Sequence, residues 1–234
     1  MKWLLDLAAE HRHVLLSTSF YQTLAQAHHP ENVRGWVRQL YHQSSDFTAA
    51  LAMRYSMCRD FRYQSCFAHH AAEEVEHAAM LMDWLHKHDF LKPGENPFSI
   101  APTLETQLVS AYCFRSVLRE SCEHQVIAMN LISEGVSYDF FSAVIPVFQR
   151  LGLKTNRYWT VHKDVDQQHL AMGIDLIPQC SPDSEQGKEY ARIVEETATL
   201  YDRMLDSWST AYCPSREAEL IPAFTAPLPL LAVG

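Results

Sequence analysis

Glycine is scarce in this chain, 7 in 234 residues, and its 11 prolines gather at a few joints. Long windows free of both leave little room for loops and read as regular structure. Runs of alternating β-branched residues are missing, as are internal repeats of fixed period, which excludes sandwiches, barrels and solenoids. No apolar run approaches the roughly 20 uninterrupted residues that a membrane span requires. The opening "MKWLLDLAAEHRHVLL" is broken by Asp6, Glu10, His11, Arg12 and His13. No small-residue cleavage pattern follows, so a cytosolic amphipathic helix is expected there. Cysteine is limited to six residues without a Cys-x-x-Cys pair, too sparse for a disulfide scaffold; reduced thiols in a cytoplasmic protein are expected. Lys and Arg number 19 against 28 Asp and Glu and form no cluster, so neither nucleic acid nor an anionic membrane is an expected partner.

What remains is helix. The 3.6-residue period places helices near 2–28, 31–58, 60–89, 103–135, 137–152, 156–177 and 184–212, an all-α, single-domain bundle of about seven helices over residues 1–212. The breaks fall at "HHPEN", "LKPGENPF", Gly135, "LGLKTN" and "IPQCSPDS". Residues 213–234 are rich in proline yet too apolar for a solvated tail. They are expected to pack on the bundle or against a second subunit, as in a homodimer.

Two stretches carry polar residues where a core helix would carry leucine. In "YWTVHKDVDQQHLAMG", His162, Asp166 and His169 stand at i, i+4 and i+7 and so share one helix face. In "FAHHAAEEVEHAAMLMDWL", the seam Phe67, His70, Glu74, His77, Leu81, Trp84 advances by threes and fours, and its middle is two histidines and a glutamate. Glu74 and His77 form the Glu-x-x-His pair of carboxylate-bridged dimetal bundles. Glu73, Glu76, His86 and His88 fall off the seam and read as a solvated face. Buried charge needs a partner, and two helices that each offer carboxylate and imidazole to a core would find it in a cation. The thiolate-free set suits iron or manganese. A further carboxylate is expected from the fourth helix, where Glu120, Glu123 and Glu134 share one broad face; the apolar setting of Glu134, "MNLISEG", disfavours a surface role.

These stretches resemble the haem-oxygenase-like di-iron oxidases and oxygenases, which share a seven-helix fold with TenA-like and PqqC-like proteins. His162-x-x-x-Asp166-x-x-His169 is similar to the family's His-x-x-x-Asp-x-x-His motif, residues 67–85 to its Glu/His helix, and Glu134 before "YDFFSAVIPVFQRLG" to its glutamate ahead of a Pro-containing helix. The chain departs in having His70 where several members have a glutamate, with Glu74 between it and His77. This leaves open which of His70 and Glu74 is the ligand, and whether six or seven residues bind metal. The resemblance implies metal ligands among His70, Glu74, His77, Glu134, His162, Asp166 and His169. It also implies two irons, O2 as co-substrate and oxidation of a small organic molecule such as an amino acid, amine or fatty acid.

Two other classes stand beside this one. A cofactor-free thiaminase-like hydrolase would use Cys122 with Glu120 or Glu123, although buried cysteine is usually inert. A metal- or haem-binding protein without catalysis would take His11 or His13 as an axial ligand. Tyr41, Phe47, Tyr55, Tyr112, Phe114, Tyr138 and Phe141 are core or pocket aromatics. Arg54 and Arg115, set in apolar helices, would fix a substrate carboxylate or else snorkel to solvent.

Overall fold

The computed structural model describes residues 1–92 and 94–210, without the side chains of residues 163–166. The 213–234 segment and the Asp166 side chain therefore lie outside the described residues. Helices α1 (Lys2–Leu15), α2 (Ser19–Gln26), α3 (Glu31–Met57), α4 (Phe61–Glu74), α5 (His77–Lys87) and α6 (Leu104–Arg119) come first. A continuous helix, Cys122–Arg150, follows, built from α7 (Cys122–Gln125), a π-helical segment (Val126–Glu134) and α8 (Gly135–Arg150). Then come α9 (Arg157–Ala171) and α10 (Glu185–Thr210), and no strand occurs among the described residues.

Local chemistry explains where helices start. Asp60 accepts from the Arg62 amide, Thr103 from that of Thr106 and Ser121 from that of His124, each satisfying a donor left free at a helix N-terminus. Other breaks differ from the sequence expectation. The first window is interrupted at residues 16–18, and the third at Val75 and Glu76, between Glu74 and His77. There the Thr48 hydroxyl on α3 donates to the Glu74 carbonyl, taking up an acceptor at the end of α4. The expected break at Gly135 does not exist. The chain turns instead at Glu120 and Ser121, and Gly135 continues the helix, its missing Cβ leaving room for Arg12, whose side chain would lie 2.7–2.8 Å from a methyl group there. Arg12 pairs with Asp139 one turn on, tying α1 to α8.

The long helix is apolar and long enough to cross a membrane by composition, but residues 126–136 are all buried inside the bundle. Its neighbours are α9, α10 and α1, while α3 packs against α4, α5 and α6. One end of the core is an aromatic lattice in which Trp84 stacks on Phe148 at 5.1 Å and Trp159 meets Phe148 edge-on at 4.5 Å. Such rings bury large areas and lock the approach of α5, α8 and α9. His77 on α5 and His162 on α9 are thereby brought together one to two turns away, their rings 4.3 Å apart.

Candidate metal centre

All six members of the seam from Phe67 to Trp84 are buried, so the apolar flanks carry the polar middle inside with them. Opposite stand Glu134 from the π segment and His162 and His169 from α9, likewise buried. Two groups result. His70, Glu74, Glu134 and His169 can bring one ligand atom each within 4.8 Å of one another, and so can Glu74, His77 and His162; Glu74 belongs to both. Glu120 and Glu123 are elsewhere: Glu120 pairs with Arg115, and Glu123 accepts from the Tyr63 hydroxyl.

The contacts are short. His77 Nδ1 lies 2.5 Å from Glu74 Oε2 and His70 Nε2 lies 2.6 Å from Glu134 Oε1. His169 Nδ1 is 3.3 Å from Glu74 Oε1 and 3.7 Å from Glu134 Oε2. Glu74 Oε1 and His169 Nδ1 are fully buried, yet neither makes an aligned hydrogen bond. A carboxylate oxygen and an imidazole nitrogen buried 3.3 Å apart without an aligned hydrogen bond are costly in an apolar core unless a cation joins them. The residues present thus fit a metal of the imidazole- and carboxylate-binding kind.

Electrostatics agrees. Burial would raise the carboxyl of Glu74, but His169 and His77 outweigh it and hold the group well below the usual carboxylate range. Glu134 is likewise lowered, burial being overcome by His70 and His169. Burial would lower His169, and the Glu134 and Glu74 carboxylates reverse this, raising it to about 11. His162 follows its burial and drops to about 4. These directions are those of a cluster whose two carboxylates favour a cation beside them.

Three participants were not recognised as such in the sequence. Glu73, exposed as expected for a solvated face, also accepts from His169 Nε2 at 2.9 Å, the arrangement in which a carboxylate fixes the far side of a ligating imidazole. Arg54 does not snorkel to solvent. It is fully buried over the Phe67 ring, at 4.1 Å, and donates to Asn130 Oδ1 and His70 Nδ1 at 2.8 Å each. Asn130 donates to the His169 carbonyl at 3.0 Å. The polarity of Arg54 and Asn130 within apolar runs was the available signal; Glu73 gave none. His11 and His13 lie outside the cluster, on a partly exposed face of α1.

The architecture is that of haem-oxygenase-like proteins. A domain of unknown function with a haem-oxygenase-like fold from Shewanella denitrificans OS217 superposes with a TM-score of 0.72 at 19% identity, covering 88% of this chain and 90% of the other. A TenA homolog from Pseudomonas syringae pv. tomato str. DC3000 does so with a TM-score of 0.72 at 14% identity, over 89% and 92%. Comparison with curated proteins gave no match. The sequence model of a haem-oxygenase-like family described as iron-containing redox enzymes matches residues 34–202, which include every member of the buried cluster, and the chain belongs to that family.

Proposed function

We propose that this protein is a non-haem di-iron oxidase or oxygenase that uses O2 to oxidise a small organic substrate. The observation that carries the reading is the sharing of Glu74 between two buried ligand groups, which suits a carboxylate bridging two cations. Glu74, Glu134 and His169 would hold one iron and Glu74, His77 and His162 the other, with Asp166 supplied by the same helix as the two histidines. When bound, the irons would supply the electrons that reduce dioxygen and the oxidising power turned on the substrate.

The chain's own residues have three tasks. Glu73 holds the imidazole of His169 in one orientation, and the Tyr158 carbonyl does the same for His162 through Nδ1 at 2.6 Å. The bundle excludes water from the cluster, every described member of which is buried. A cavity beside Glu74, Glu134 and His162 receives the substrate; Leu40, Phe47, Phe140, Phe141 and Trp208 supply much of its wall, and no lysine or arginine is among its described lining residues. That lining favours an apolar body and offers a substrate carboxylate no cationic partner except the metals.

The hydrolase reading draws on the fold shared with a TenA homolog. Cys122 serves it poorly: burial raises its thiol to about 12, its Sγ sits 3.9 Å from that of Cys58, and it does not line the cavity. Anaerobic titration with ferrous iron tests the proposal. About two equivalents should bind per chain, followed by oxidation on admitting O2. A single zinc, unaffected by His162→Ala, would defeat it.

A further inference from the structure

The histidines around the cluster differ in what their outer nitrogens meet. His162 Nδ1 faces the Tyr158 carbonyl at 2.6 Å, and His169 Nε2 faces the Glu73 carboxylate at 2.9 Å. Both partners are acceptors, so each ring places an N–H outward and turns its other nitrogen toward the carboxylates, as metal-binding imidazoles do.

His70 is arranged the opposite way. Its outer Nδ1 meets two donors, Arg54 Nη2 at 2.8 Å and Asn130 Nδ2 at 3.0 Å. A guanidinium has donors only. The amide of Asn130 is fixed from both ends, since its Oδ1 accepts from Arg54 Nη1 and its Nδ2 donates to the His169 carbonyl. Nδ1 must therefore present its lone pair to them, and the ring proton must sit on Nε2. That N–H points at Glu134 Oε1, 2.6 Å away.

We propose that His70 is not a metal ligand but a positioning residue: it donates Nε2–H to Oε1 of Glu134 and leaves Glu134 to face the cluster through Oε2. The inference rests on the metal reading above. A nitrogen that carries a proton has no lone pair for a cation. Freeing it would mean either stripping the ring to an imidazolate or moving the proton to Nδ1, against Arg54 and Asn130. Because Glu134 Oε2 already faces His169 Nδ1, the division of its two oxygens is built into the site. The ligand set then contains three histidines, His77, His162 and His169, and His70 supports one of its carboxylates.

Protein labelled with 15N-histidine and loaded with zinc alone, which is diamagnetic, gives a direct readout by long-range 1H–15N correlation. His70 should retain a protonated Nε2 and a bare Nδ1 while three other imidazoles take metal-bound shifts; a metal-bound nitrogen at His70 would overturn the assignment. His70→Ala should weaken zinc binding about 10–100-fold, as loss of an outer partner does, with two equivalents still bound at saturation. His70→Gln, whose amide N–H can replace Nε2–H, should recover most of that loss. Loss of a whole equivalent in the glutamine variant would count against the proposal. Should the alanine variant fail to fold, the spectrum of the unaltered protein still decides. Wild-type protein that takes up neither zinc nor iron would defeat the metal reading and this assignment together, and its zero stoichiometry tells that failure apart.

Discussion

The two helices that bring ligands to the cluster from the C-terminal half are built on different terms. The helix Cys122–Arg150 buries every residue from 126 to 136, and Glu134 is one polar group among many apolar neighbours. In α9 the described buried residues are Tyr158, Trp159, His162 and His169, two of them candidate ligands. Removing one polar group from the first leaves its apolar packing intact. Taking the metal away from the second removes what half of its described buried face is for. Glu134 is thus held by packing, whereas α9 depends on the site it helps to build, and metal binding there should also be folding energy.

The strongest challenge to this contrast is Glu74→Gln. Because both ligand groups share Glu74, iron uptake should fall from about two equivalents to less than one, whereas His77→Ala should cost one; equal losses would refute the sharing. Next comes Asp166→Asn, expected to leave a folded helical protein that binds less iron, beside Glu76→Gln, expected to be silent because Glu76 is exposed. Equal iron binding by the two variants would remove Asp166 from the ligand set. Amide exchange should then separate the two helices: adding iron should slow exchange in residues 156–171 markedly and change residues 126–136 little. Equal protection of α9 with and without metal would show that its packing suffices.

The pH dependence follows from His169. Its pKa is raised from 6.5 to about 11, so its contribution to the metal-free fold is fully present below 6.5 and is lost as pH rises through 11. Metal must displace that proton, so affinity runs the other way, rising by up to about tenfold per pH unit between these limits for one proton released. A chelator competition that gives the same zinc affinity at pH 6.5 and 8 would contradict it. The smallest effect concerns the outer anchor of the long helix. Gly135→Ala should cost about 1–3 kcal/mol by crowding Arg12. In an Arg12→Ala background the same change should stabilise by up to about 1 kcal/mol through helix propensity, a reversal of sign readable in denaturant melts.

Much of this was legible along single helices. The steps of three and four from Phe67 to Trp84 marked one buried stripe, and the apolar setting of Glu134 singled it out from Glu120 and Glu123. Pairings between helices were not legible. Glu73 lies off the seam and acquires its role only because α9 crosses in front of it; Arg54 and His70 meet from different helices, 16 residues apart. Gly135 misled because glycine more often ends a helix than admits an arginine through its side.

The π-helical segment has one more consequence. Over Val126–Glu134 the backbone carries wider turns than an α-helix, and the Ser133 hydroxyl reaches back to the Ala128 carbonyl five residues earlier. The segment works as a phase shifter between the two ends of one rod. Asn130 and Glu134, four residues apart, come to rest on opposite nitrogens of the same His70 ring. An i→i+5 turn holds one residue more than an i→i+4 turn, so deleting a single residue from 126–129 would let ordinary helix bonding resume with α7 and α8 close to their present alignment. The rod would stay whole and apolar while Asn130 and Glu134, no longer spaced by a wide turn, lost their common aim at His70, so at this point the protein's chemistry is more sensitive to the count of residues than to their identity.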